Sequence, residues 1–123
     1  MINRLLKSWR KQIPALAKSG FRVIVPDQRG YNLSSKPAEI DAYHLDILVD
    51  DIIGLADALG ITQFNLVGHD WGGAVSWWLA SRFPERLKRL TILNVPHHAV
   101  MSRMLKRSWS QRLKSWYIFY FQI

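Results

Sequence analysis

The fold of this chain is decided by residues 64–73, which read Phe64-Asn65-Leu66-Val67-Gly68-His69-Asp70-Trp71-Gly72-Gly73. Three of the first four residues favour a strand, and the sequence AVSWWLA that follows them at 74–80 favours a helix. The Gly-x-Asp-x-Gly pattern supplies the small residues that a tight turn and a close helix need. The sequence therefore predicts a strand, a sharp turn and a helix, with Asp70 at the carboxyl end of a sheet, where open α/β sheets bind ligands.

Asp70 has the chemistry of a nucleophile in such a turn. A carboxylate at the start of a helix lies beside free N–H groups, which favour its ionised form. An ionised carboxylate that is held in place can attack carbon and form an ester. Two simpler interpretations remain open, because Asp is also a common helix N-cap and a common turn former.

The rest of the chain alternates between strand and helix signals. Short runs of strand-forming residues, β-branched at 21–25, predict strands at 21–25, at 64–67 and within 87–95, each with apolar residues on both faces. Helices are predicted at 5–18 (interrupted at Pro14), 45–59 and 72–83, and a loop rich in Gly, Asn, Ser and Pro at 27–37. This order predicts an α/β fold with a parallel sheet of about three strands and flanking helices.

Composition excludes several classes of protein. The chain has 123 residues, 49% hydrophobic, which suits one small globular core. It has no cysteine, so disulfides and thiolate metal sites are excluded. The adjacent His97 and His98 rarely aim at one ion, and neither a metal nor a cofactor is expected. With no signal peptide and no apolar run that could span a bilayer, a cytoplasmic location is expected.

The net charge of +8 is unevenly distributed. Residues 1–37 and 86–123 each hold eight Lys or Arg, whereas residues 38–85 hold eight acids and one Arg. Basic ends can bind nucleic acid or anionic membrane. We favour solvated faces instead, because no nucleic-acid-binding motif accompanies the charge. We therefore expect no nucleic-acid partner and no membrane partner; the sequence leaves the oligomeric state open.

The turn at residues 68–73 resembles the α/β-hydrolases that use an Asp nucleophile, namely the epoxide hydrolases and haloalkane dehalogenases. Residues 25–37, which include Asp27-Gln28-Arg29-Gly30-Tyr31, are similar to the loop after that family's fourth strand, and the Arg-Gly-Tyr form favours epoxide hydrolases. Residues 9–17 and 94–97 are similar to two further segments of the family. The resemblance implies a small apolar epoxide as substrate, with haloalkane dehalogenase as the alternative.

The resemblance also assigns roles to three residues. Asp70 would attack the epoxide, Trp71 would lend its backbone N–H to an oxyanion hole and its ring to the pocket, and Tyr117 would bind the epoxide oxygen as it becomes an alkoxide. Trp71 could instead be a core aromatic, and Tyr117 part of a packed aromatic face. His69 is expected to be a neutral, hydrogen-bonded neighbour of the site and not a base. Arg29 is expected to brace its loop by pairing with a carboxylate such as Asp27, and Asp50 and Asp51 to be solvated.

Parts of the family pattern find no match. No His-Gly-x-Pro segment precedes the first helix, and the family's general-base His and its acidic partner would fall after Ile123. We therefore expect residues 1–100 to be a partial core, residues 101–123 to begin a cap domain, and the chain to be an internal piece that is incompetent alone. A non-catalytic truncated product is the rival interpretation. Because the family's third strand is missing between those at 21–25 and 64–67, marginal stability is expected.

Overall fold

A computed structural model describes residues 8–97, 99, 100 and 103. The chain divides between Asp51 and Ile52 into two compact units. Helix α2, Leu45–Ala58, crosses this division. Its apolar stripe was predicted from the 3.6-residue period, and Leu48, Val49 and Ala56 of that stripe are buried. Gly60, with a φ of 68°, follows the helix as predicted.

Helix α1, Gln12–Lys18, lies in the first unit. It ends in a turn in which the Ser19 N–H donates to the Ala15 carbonyl (3.2 Å) and Gly20 adopts a φ of 85°. The predicted interruption does not fall at Pro14: the helical residues are interrupted at residues 10–11. Pro14 is the third residue of α1, in the first turn, where its missing N–H has no intrahelical acceptor to lose.

Residues 21–25 are not a strand, which corrects the prediction. Phe21 donates its N–H back to the Leu16 carbonyl, and Phe21 and Ile24 are exposed. The β-branched run favours an extended backbone, but a strand also requires a neighbouring ladder, which none of the described residues provides. The described sheet therefore has two strands and not about three.

The second unit contains the predicted parallel sheet. Strand β1, Phe64–His69, pairs in parallel with β2, Leu87–Leu93, and the register places His69 opposite Leu93. Helix α3, Trp71–Arg82, connects them together with a 3₁₀ turn at Pro84–Arg86, and it packs on both strands.

The core of this unit lies between α3 and one face of the sheet. Val75, Ser76 and Leu79 of α3 are buried, as is Gly68 of β1. Side chains on β1 alternate between half-buried and exposed, and Val67 is 44% exposed. The apolar residues on the other sheet face, which we expected to be covered, are therefore partly open to solvent.

Arg86 ties the start of β2 to the loop before β1. Its guanidinium donates to the carbonyls of Thr62 (2.8 Å) and Ile61 (3.0 Å) and to the Asp57 carboxylate (2.6 Å). The Arg86 side chain is only 18% exposed, so these bonds are partly shielded from water. This cluster lies at the amino ends of the strands, at the opposite end from Asp70.

Candidate active site at the β1–α3 turn

Asp70 lies at the tip of the turn between β1 and α3. Its φ of 53° and ψ of −124° fall outside the regions that non-glycine residues normally occupy. Main-chain bonds hold it on both sides: its N–H donates to the Leu93 carbonyl (3.3 Å), and its carbonyl accepts from Gly73 (2.9 Å) and Ala74 (3.2 Å). The strained turn predicted from the glycine pattern is confirmed. Strain of this kind concentrates at functional sites.

Helix capping does not account for an aspartate at this position. Asp70 occupies the N-cap of α3, yet its side chain makes no cap hydrogen bond. A capping carboxylate would accept from the N–H of the second or third helical residue. Asp70 is exposed, so its carboxylate can meet a molecule that arrives from solvent.

Gly68 and Gly73 allow the turn to close, each against a different neighbour. A Cβ on Gly68 would overlap the Ser76 hydroxyl and would lie 2.6 Å from the Gly72 carbonyl oxygen and 2.8 Å from the Gly73 Cα. A Cβ on Gly73 would lie 3.1 Å from a methyl group of Val95. Gly72 has open space around it, so its position in the motif does not reflect crowding. The close approach predicted from the small residues thus depends on Gly68 above all.

Trp71 is the first residue of α3 and its side chain is 43% exposed. The interpretation of Trp71 as a core aromatic is therefore not supported. The N–H groups in the first turn of a helix have no intrahelical acceptor. The Trp71 N–H is in that first turn, directly after the Asp70 peptide, where it could donate to an oxyanion formed on the carboxyl carbon of an Asp70 ester.

The segment after β2 supports the turn through contacts that the sequence did not reveal. Asn94 Nδ2 lies 3.2 Å from His69 Nε2, and the Trp77 indole N–H donates to the Val95 carbonyl (3.2 Å). The Trp77 ring also meets the His97 ring edge-on, with centroids 4.8 Å apart. His69 is thus hydrogen-bonded, as expected. Only the parallel register of β1 and β2 brings these residues together, which is why no local signal identified Asn94.

The loop at 27–37, in the first unit, is braced as expected but by a different partner. Arg29 binds Asp51 with two bonds, Nε to Oδ2 at 2.8 Å and Nη2 to Oδ1 at 2.6 Å. This hydrogen bonding raises the pKa of the Arg29 guanidinium above its ordinary value. The expected pairing with Asp27 is wrong, as is the interpretation of Asp51 as solvated. Asp27 instead accepts from the Asn32 amide (2.7 Å).

Tyr117, the third predicted site residue, lies outside the described residues. Within the described part of the chain, no group of three His, Cys, Asp or Glu side chains could hold a metal ion. Among the same residues, no helix combines the length and the apolarity that crossing a bilayer requires.

Comparison with known proteins places residues 5–121 in a family model described as the alpha/beta hydrolase fold. The chain is 53% identical over 120 residues to the AB hydrolase superfamily protein YfhM of Bacillus subtilis, covering 94% of this chain and 40% of that protein. It is 42% identical over 115 residues to Epoxide hydrolase 1 of Caenorhabditis elegans, covering 94% of this chain and 28% of that protein.

Solved structures give the same result. An epoxide hydrolase from Bacillus megaterium matches with a TM-score of 0.86 at 39% identity, covering 94% of this chain and 40% of that chain. An epoxide hydrolase from metagenomes of hot environments matches with a TM-score of 0.87 at 47% identity, covering 95% and 39%. The chain therefore spans about 40% or less of the length of these relatives.

Proposed function

Because this chain belongs to the alpha/beta hydrolase fold family, we propose that it carries the nucleophile half of an epoxide hydrolase site, with Asp70 as the nucleophile. One observation carries the proposal: an exposed aspartate sits on a strained turn and makes no cap hydrogen bond there. The relatives named as epoxide hydrolases support the same chemistry.

In the proposed reaction, a carboxylate oxygen of Asp70 attacks one epoxide carbon. The carbon–oxygen bond of the strained ring breaks, and the former ring oxygen leaves as an alkoxide that takes a proton from Tyr117. The product is a hydroxyalkyl ester on Asp70. The substrate is proposed to be a small apolar epoxide, with the Trp71 ring as part of the pocket wall.

Release of the diol requires water to attack the carbonyl carbon of that ester. The Trp71 N–H is proposed to stabilise the oxyanion that forms there. The activating histidine and its acidic partner match no residue of this chain. We therefore propose that the 123 residues alone stop at the ester, with residues 1–100 as partial core and residues 101–123 as the start of a cap.

A haloalkane dehalogenase would use the same nucleophile with a halide as leaving group. The Arg29-Gly30-Tyr31 sequence and the epoxide hydrolase relatives favour the epoxide. A non-catalytic product would use Asp70 for neither reaction. Intact-mass measurement distinguishes these three functions: an epoxide hydrolase would form an epoxide adduct, a haloalkane dehalogenase an alkyl adduct, and a non-catalytic product no adduct.

In the deciding experiment, the chain is incubated with styrene oxide and, separately, with 1-chlorobutane. Intact-mass spectrometry followed by peptide sequencing detects and locates the adduct. We expect one equivalent of the epoxide mass on Asp70, none on Asp70→Asn, and a normal level on Asp50→Asn, which removes another exposed aspartate. An adduct that survives in Asp70→Asn would refute the assignment of Asp70. Sustained diol release that requires Asp70 would refute the proposed arrest at the ester.

A further inference from the structure

Asn94 is the first residue after β2, and its side chain reaches back to the residue that precedes Asp70. Its Nδ2 lies 3.2 Å from Nε2 of His69. The preceding residue, Leu93, accepts the Asp70 N–H at 3.3 Å. Leu93 and Asn94, where β2 ends, thus bond to Asp70 and His69, where β1 ends.

The backbone conformation of Asn94 indicates that its side-chain amide has a role, because glycine would be less strained at this position. Its φ of 66° lies in the left-handed region, where glycine is least strained and most L-residues are disfavoured. Asn tolerates this region better than most residues, and unlike glycine it has a side-chain amide that can form hydrogen bonds. The amide of Asn94 is the group that contacts His69.

The contact also bears on which nitrogen of the His69 ring carries the proton, because the donor and acceptor roles depend on the tautomer. With the amide nitrogen of Asn94 facing the ring, that nitrogen donates and Nε2 of His69 accepts with its lone pair. The ring is then neutral and carries its proton on Nδ1, the nitrogen that is less often protonated in free imidazole side chains. A neutral ring in this form has a single basic lone pair, and Asn94 occupies it. His69 therefore cannot serve as a base while the contact is made.

We propose that Asn94 is a positioning residue: it holds His69 as the neutral Nδ1–H tautomer. Because His69 directly precedes Asp70, this contact also holds the turn in the conformation that exposes Asp70. The contact is given by the geometry, and the tautomer is inferred from the amide nitrogen of Asn94 facing Nε2. The effect on the reaction rests on the proposed function of Asp70. The two parts are tested by different measurements.

The first measurement is long-range ¹H–¹⁵N correlation NMR of the histidine rings at neutral pH. We expect a proton-bearing shift for Nδ1 of His69 and an acceptor-type shift for Nε2. Asn94→Gly suits the left-handed backbone and removes only the amide, so the Nε2–H form should become the major tautomer. Asn94→Asp replaces the donor by an acceptor and should drive the proton to Nε2. A wild-type ring already protonated on Nε2 would overturn the proposal without any variant.

The second measurement is the rate at which styrene oxide forms the ester on Asp70, followed by intact mass at several epoxide concentrations. For Asn94→Gly we expect a limiting rate about fivefold lower, which corresponds to ~1 kcal/mol. The half-saturating concentration should not change, because Asn94 acts on the nucleophile and not on the substrate. The matched control is Asn32→Gly, the same substitution at another left-handed asparagine (φ 44°), whose amide binds Asp27. It should change neither the tautomer nor the rate.

The outcomes separate the two proposals. If the wild-type chain forms no adduct, the proposed function fails, and the NMR result alone decides whether Asn94 holds His69. If the adduct forms and Asn94→Gly shifts the tautomer without slowing the rate, the positioning role is refuted while the nucleophile assignment stands. An unchanged tautomer in Asn94→Gly, with a native amide spectrum, refutes the proposal outright.

Discussion

Replacing Gly68 by alanine should open the turn that presents Asp70. The added Cβ would lie 2.6 Å from the Gly72 carbonyl oxygen and 2.8 Å from the Gly73 Cα, and would also overlap the Ser76 hydroxyl. Non-bonded carbon atoms are attractive only near 3.5–4.0 Å, so each of these contacts is repulsive. Two of the three involve main chain, which cannot move without displacing the start of α3. We expect a loss of about 3 kcal/mol in the free energy of unfolding, at the upper end of typical overpacking.

Gly72→Ala is the matched control, four residues away in the same motif. A Cβ there meets nothing within 4 Å, and Gly72 is the second residue of α3. Alanine should therefore be neutral or stabilise the helix by up to ~1 kcal/mol. Urea unfolding followed by tryptophan fluorescence should separate the two variants by about 1–3 M in midpoint, at a slope of roughly 1.5–3 kcal/mol per molar urea.

A second variant tests which contact matters. Ser76→Ala removes the hydroxyl that accounts for one of the three overlaps, and that also donates to the Gly72 carbonyl at 2.7 Å. Because the two main-chain overlaps remain, adding it to Gly68→Ala should restore no more than about 1 kcal/mol. Equal stability of Gly68→Ala and Gly72→Ala, or full recovery in the double variant, would refute the assignment of Gly68 as the residue that lets the turn close.

Three further perturbations test other parts of the fold. Arg86→Met leaves two backbone carbonyls and a carboxylate without their charged donor, so it should lower the free energy of unfolding in urea by about 2 kcal/mol. Arg89→Met, at an exposed position, should change it little, and equal losses in the two variants would contradict this. Trp77→Phe removes the donor to the Val95 carbonyl and should cost about 1 kcal/mol and increase amide exchange in the segment after β2. Arg29→Lys cannot form both hydrogen bonds to the carboxylate of Asp51. The loop at 27–37 should therefore be cleaved faster by thermolysin, a protease that does not cleave at Lys or Arg, while α3 is cleaved at an unchanged rate.

The sequence by itself determined the features that depend on neighbouring residues. The glycines around Asp70 predicted the strained turn, and the structure has that turn with φ at 53°, with no room for a Cβ at Gly68. The apolar period of α2 and the glycine at position 60 predicted the helix and its end. A strand was predicted within 87–95 and before Pro96, and the structure has it at Leu87–Leu93. Each of these features depends on residues that are contiguous in the chain.

Tertiary structure decided what depends on partners distant in sequence. Residues 21–25 have the composition of a strand but no ladder among the described residues, because a strand also requires a neighbour. Arg29 could have paired with Asp27 or Asp51, and the fold of the first unit selects Asp51. His69 and Asn94 lie 25 residues apart, and only the register of two parallel strands brings them within hydrogen-bonding distance. The place of Asp70 on a strained turn could be predicted from the neighbouring glycines, whereas the contact between Asn94 and His69 could be identified only from the folded sheet.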